Sequence, residues 1–140
     1  MKIVTRDSEG RTNGYLIPVW NILTDLCSAP DQVYVTAIAP HSMKGPHLHH
    51  VRRGLFCCIF GNVKIVTRMG DSYVEHWTGE GYNHALILVP AGMPAAIYND
   101  GDIEALVLNL PRPAWSADNP DEWPVADWTY GQEAVHETIR

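Results

Sequence analysis

The chain has 140 residues, 46% of them hydrophobic and 19% charged, and a formal net charge of -6. That length suffices for one well-buried core and is too short for two ordinary domains. The acidic balance leaves no broad basic surface to follow a phosphate backbone, so nucleic acid is not an expected partner, and no apolar run approaches the roughly 20 residues that span a bilayer.

Residues 1–7 lack the apolar core of a signal peptide. Cys27, Cys57 and Cys58 are spaced neither as a disulfide framework nor as a CxxC zinc site. Together these features predict a cytoplasmic protein with buried free thiols. Along the chain, β-rich segments at 15–22, 32–39, 55–60, 62–68, 72–77, 85–89, 95–99 and 103–110 are predicted as strands. The turn signals between them are Gly61-Asn62, Met69-Gly70-Asp71 and Asn99-Asp100-Gly101-Asp102, which suggest hairpins and a meander through the middle. Only residues 19–28 carry a trace of helical period, so helix content is expected to be low.

Strand 62–68 alternates, with Val63 and Ile65 on one face and Lys64 and Arg68 on the other. Strand 55–60 is apolar on both faces, which predicts a central position between the core and a second covered surface, a partner subunit being one candidate cover. From Pro111 the composition shifts to Pro, Asp, Glu and Trp. Proline disfavours a central strand there, and Trp115, Trp123 and Trp128 disfavour a free disordered tail. The expected organisation is one domain over 1–140, with a core at about 15–111 and an extended arm at 112–140 that docks through its rings and frays over its last ten residues.

The chemistry is concentrated in Lys44-Gly45-Pro46-His47-Leu48-His49-His50-Val51-Arg52-Arg53-Gly54. On a strand, His47 and His49 share a face and Leu48 and His50 point away. Two imidazoles beside Lys44, Arg52 and Arg53 predict a pocket, because burying them together in a packed core is costly.

This stretch resembles the first motif of the cupin superfamily, G-x5-H-x-H-x3,4-E-x6-G: His47, His49 and Gly61 fall in register, with Gly54 at the glutamate position. The second motif, G-x5-P-x-G-x2-H-x3-N, is met by Pro90, Gly92 and Asn99, with Ala95 at the histidine position. The resemblance implies an all-β, single-domain, cupin-type jelly-roll β-barrel with an extended Pro/Trp-rich C-terminal arm. It also implies no metal site, since cupin centres generally use three histidines and one glutamate and two of the four are missing; a divalent metal at His47 and His49 is the alternative. His50, Glu75, His76 and His84 are the side chains that could complete such a site through space.

Within cupins the chain resembles dTDP-4-dehydrorhamnose 3,5-epimerases and dTDP-sugar 3,4-ketoisomerases, which carry R-G-x-H before an apolar strand. Lys44-Gly45-Pro46-His47 stands there, and Glu104-Ala105-Leu106-Val107-Leu108-Asn109-Leu110-Pro111 and Asn119-Pro120-Asp121-Glu122-Trp123 match further stretches. The implied function is an isomerase or epimerase acting on a nucleotide-activated 4-keto-6-deoxysugar by proton abstraction next to the ketone. Neutral imidazole suits the base role. His47 is then the base and His49 its partner or substitute, and Lys44 is the cation for the enolate or the diphosphate. Tyr34 and Tyr98 are candidate phenolic acids on the opposite sugar face. Arg52 and Arg53 are candidate phosphate contacts, of which alternation allows one to face inward. Asn99 is a candidate substrate contact or, preceding Asp100-Gly101, a turn residue. The alternatives are a metal-dependent cupin oxygenase and a non-catalytic sugar-nucleotide-binding cupin. The two-sided apolar strand and the tryptophan-rich arm predict a homodimer.

Overall fold

A computed structural model describes residues 1–21 and 27–132. Half of the stretch with helical period, at 22–26, and the end of the arm, at 133–140, lie outside the described residues. The described chain is built from β1 (Ile3–Arg6), β2 (Thr12–Leu16), β3 (Tyr34–Ile38), β4 (Ser42–Leu48), β5 (Gly54–Phe60), β6 (Asn62–Met69), β7 (Ser72–Gly79), β8 (Ile87–Val89), β9 (Ala95–Asn99), β10 (Ala105–Asn109) and β11 (Trp123–Pro124). The only helical element among them is a 3-10 turn at Glu80–Tyr82.

The strands form a four-stranded sheet in the order β3-β10-β5-β8 and a five-stranded sheet in the order β11-β4-β9-β6-β7, with β1-β2 as a separate hairpin. Two of the three turn signals do something other than the expected hairpin. Met69-Gly70-Asp71 does join paired strands, Met69 facing Ser72 across β6 and β7. Gly61-Asn62 and Asn99-Asp100-Gly101-Asp102 instead carry the chain from one sheet to the other, so the middle is a jelly roll and not a meander. Turn chemistry dictates reversal of direction, whereas the partner of each strand is chosen by burial. Gly61 makes its turn at a φ of 76°, a conformation in which a side chain is strained.

The inner faces of the two sheets meet in a core of Ile38, Cys58, Val63, Ile65, Val89, Ala105 and Val107. Strand β5 is central and buried on both faces as its composition requires: Cys58 faces the core, while Leu55 and Cys57 face outward and are 1% and 0% exposed. At Cys57 the second cover is the chain itself, since the thiol donates to the carbonyl of His84, 3.3 Å away. A partner subunit is not needed at that point. Burial also pushes the Cys58 thiol up to about 11, which keeps it neutral and inert.

Asn99 corrects one sequence expectation. It is 1% exposed, and its Nδ2 donates to the carbonyls of Ile38, Ala39 and Ile103 while its Oδ1 accepts from the Gly101 amide. All its hydrogen-bonding capacity is used to knit β3 to the β9–β10 connection, so it takes the turn role and does not line the cavity.

The arm is fastened by Asp121. Its carboxylate accepts the backbone amides of His50, Val51 and Arg52 at 2.9, 2.9 and 2.8 Å, three consecutive donors left open where β4 ends. Burial opposes ionisation of Asp121, but the three amides together outweigh it and hold the carboxyl down to about 2. Beyond this clasp, β11 pairs with β4 through Trp123 opposite Leu48 and Pro124 opposite His47.

Two measurements check these assignments. Asn99→Ala should lower unfolding free energy by about 2 kcal/mol in urea titration, because it orphans the buried Ile38 carbonyl and the half-buried carbonyls of Ala39 and Ile103. The Asp121 carboxyl is easier to ionise in the folded chain than in the unfolded one. Its stabilisation is therefore complete above the ordinary value of 3.8 and lost as pH falls through about 2. Asp121→Ala should cost about 2 kcal/mol at pH 7 and flatten the acid limb of the stability profile over that window.

Candidate active site

Strand β4 and the residue that follows it, His49, deliver the two histidines and the lysine to one side by means of an irregularity. Its pairing with β9 shifts between Lys44, opposite Ile97, and His47, opposite Ala95. Simple alternation would place residues 44 and 47 on opposite faces; the bulge returns both to the inner face with Ile97 and Ala95. Gly45 makes this approach possible, since a Cβ there would lie 2.9 Å from the Ala95 carbonyl oxygen.

Lys44, His47 and His49 line a cavity of about 420 Å³ between the two sheets. Arg52 joins them from the loop after β4, 5% exposed and anchored through Nη1 to the carbonyl of Pro120 at 2.6 Å. The facing wall comes from the four-stranded sheet: Tyr34 and Thr36 on β3, Phe56 on β5 and Asn109 on β10. Ile65, Val89, Ala95 and Ile97 give the remainder an apolar lining. Asn109 donates through Nδ2 to the Tyr34 hydroxyl at 2.7 Å and accepts the Leu55 amide, so the phenol is fixed in place with its own proton free to be given elsewhere.

Five of the eight residues singled out from sequence therefore meet in one cavity: Tyr34, Lys44, His47, His49 and Arg52. Arg53 does not, because alternation turns it outward, where its backbone bridges to Arg112 and its Nη2 donates to the Ser28 carbonyl. Tyr98 does not, because it lies on the outer face of β9, pairing with Lys64 and receiving the Trp128 indole N–H at 3.0 Å. Asn99 is the turn residue described above. His50 also points out, its ring 5.4 Å from that of Trp123.

The arm supplies a residue that sequence reasoning missed. Glu122 lines the cavity mouth with its Oε1 3.0 Å from His47 Nδ1. The carboxylate favours a proton on that nitrogen and leaves the Nε2 lone pair for chemistry. The available signal was the Asn119-Pro120-Asp121-Glu122-Trp123 stretch, matched as a motif but 75 residues from His47 in sequence. His49 has a different character: burial, reinforced by the Arg52 guanidinium, pushes its pKa down, and its buried Nε2 has no hydrogen-bond partner. It is an uncharged polar group aimed at the cavity.

A four-ligand metal cage of the cupin kind does not fit these residues. A Cβ at Gly54, the glutamate position of the motif, would lie 2.3 Å from the Phe56 ring, and Ala95 replaces the third histidine. Among the described residues no three His, Cys, Asp or Glu side chains are grouped as metal ligands.

No protein-family model matches the chain, and no curated protein matches it. Solved structures do. A dTDP sugar isomerase from Desulfovibrio desulfuricans G20 is 18% identical with a TM-score of 0.73, over 89% of this chain and 79% of that one. QdtA, a sugar 3,4-ketoisomerase from Thermoanaerobacterium thermosaccharolyticum solved in complex with TDP, is 18% identical with a TM-score of 0.64, over 98% and 95%. The capsular polysaccharide assembling protein CapF from Staphylococcus aureus is 23% identical with a TM-score of 0.63 over 71% of this chain, which spans 29% of CapF. The chain thus has the cupin-type jelly-roll fold that these structures share.

Proposed function

We propose that the protein is an isomerase or epimerase of a nucleotide-activated 4-keto-6-deoxysugar. The observation that carries this reading is the pairing of His47 with Glu122 at the mouth of a cavity that also holds two cations and, on its far wall, a fixed phenol. His47 Nε2 removes the proton on the carbon next to the ketone, the C–H electron pair becomes the enolate, and the negative charge moves to the ketone oxygen. Lys44 and Arg52 are the cations available to that oxygen and to the diphosphate. Reprotonation of the carbon from the opposite sheet by Tyr34 inverts it, and Glu122 holds the imidazolium formed in between. His49, uncharged, offers a hydrogen bond to a sugar hydroxyl without repelling the cations. A cavity of about 420 Å³ takes a sugar ring and leaves the nucleotide at the mouth. The proton transfers so written use no cofactor, and the three unpaired thiols suit a cytoplasmic setting.

A homodimer is part of the proposal. The outer face of the four-stranded sheet exposes Val35, Phe60 and Leu88, which are 54%, 53% and 46% accessible, a row of apolar side chains that a second copy would cover. Sedimentation should then give a dimer, and Val35→Glu should release monomer; a monomeric unmutated protein overturns this part.

The enzymatic reading is tested by proton NMR of dTDP-linked 4-keto-6-deoxysugars in deuterium oxide. The protein should exchange the proton next to the ketone, with chelator present, and His47→Ala should lose about 10²–10⁴-fold in rate. Glu122→Gln should fall within the same range, since an amide no longer favours the required tautomer. Tight sugar-nucleotide binding without exchange would instead make the protein a binding module.

A further inference from the structure

The arm does not stop at the cavity. After Pro124 it crosses to the outer face of the five-stranded sheet, on the far side of β9 and β6 from the histidines. Asp127 pairs with Arg68 at 3.0 Å, the Thr129 amide donates to the Tyr73 hydroxyl at 2.8 Å, and the Trp128 indole donates to Tyr98. Tyr130 donates to Glu75 and stacks over Lys64, whose ammonium sits 5.0–5.5 Å from the rings of Tyr130, Tyr98 and Trp77 and within 3.7 Å of Asp100. Beneath this belt Val66 and Ala96, on an outer sheet face, are 0% and 2% exposed.

Glu122 is thus strung between two fixed points, Asp121 in its clasp and Trp128, whose indole donates to Tyr98 and packs edge-on against Tyr73. The short span between them includes Pro124, whose ring fixes one more torsion. The Glu122–His47 pair itself has 41% and 42% side-chain exposure. An ion pair that open is too weak to hold a chain segment in place. Fastening must come from elsewhere: on the C-terminal side the two-residue β11 pairs with β4, and the belt anchors the chain beyond that short bridge.

We propose that Trp128 is a positioning residue for the active site: by docking on Tyr98 and Tyr73 across the sheet, it holds Glu122 against His47 and so sets the tautomer of the base. This rests on the isomerase reading, in which that tautomer matters. It also gives the outward-facing Tyr98, first considered as an acid, a role on the opposite side of the sheet.

The test has two readouts. Nitrogen-15 NMR of the imidazoles in substrate-free protein should show His47 protonated at Nδ1, and Trp128→Ala should shift it toward a mixed tautomer, as should Glu122→Gln. In the deuterium-exchange assay Trp128→Ala should lower kcat about tenfold with less change in KM. Added to Glu122→Gln, it should cost less than about twofold more, because both act through one contact. Should Trp128→Ala fold poorly, Tyr98→Phe removes only the hydroxyl that accepts the indole and enters the same cycle, with smaller effects of the same sign. The proposal is overturned if the His47 signal is unchanged in a folded variant, or if the losses multiply in the double variant. A protein that exchanges no sugar proton defeats the isomerase reading, while the imidazole signal still decides whether the belt governs His47.

Discussion

Three consecutive amides at the end of β4 determine much of what surrounds the cavity. A strand that stops without a partner leaves donors that must be satisfied, and here the amides of His50, Val51 and Arg52 converge on one carboxylate, Asp121. The clasp fixes the loop that carries Arg52 and the strand end that carries His47 and His49. It also determines what comes next in the arm, because the residue after Asp121 lands at the cavity mouth. Glu122 reaches His47 as a consequence of how its neighbour is bound. Arg52 closes the arrangement from the other side by donating to the Pro120 carbonyl, so a side chain of the cavity and the backbone of the arm hold each other.

The charges in the cavity are arranged so that its two histidines differ. His47 has a carboxylate at Nδ1, whereas His49 is buried beside a guanidinium and resists protonation. Two like imidazoles on one strand face would otherwise compete for the same proton. Separating their environments gives one a route to carry positive charge and leaves the other a neutral hydrogen-bonding group. At the two motif positions that differ from the cupin pattern, the Phe56 ring occupies the space a side chain at Gly54 would need, and the apolar Ala95 faces His47 across the strands.

Local pattern made much of this legible. Period-two alternation placed His47 with His49 and turned Arg53 away from Arg52, and the two-sided apolar run of 55–60 revealed a central strand. What alternation could not deliver was the bulge at Gly45, which adds Lys44 to the histidine face by breaking the period. Tyr98 illustrates the converse difficulty. It alternates correctly with Ile97, but nothing in its neighbours says which of the two faces the cavity, since an aromatic residue under a docked arm and one lining a pocket are equally apolar in sequence. Asn99 and the Gly61 turn read as local features and proved to connect sheets. Glu122 was within a recognised stretch, yet its partner is set by the path of the arm, a long-range property with no periodic signature.

An arm that ends on the sheet's outer face also accounts for the make-up of that face. Lys64, Arg68, Glu75 and Tyr73 would be an ordinary solvated surface on a half-exposed antiparallel sheet. With the arm in place, the same side chains become its anchors. Burial works against the charge on Lys64, but Tyr130, Asp100 and Glu75 together raise its pKa, so it remains a firmly protonated post beneath three rings. A barrel this small has little core to spare for fixing a long terminal segment. Charged and aromatic groups on the outside of β6, β7 and β9 do that work, which leaves the inner faces of the same strands free to shape the cavity.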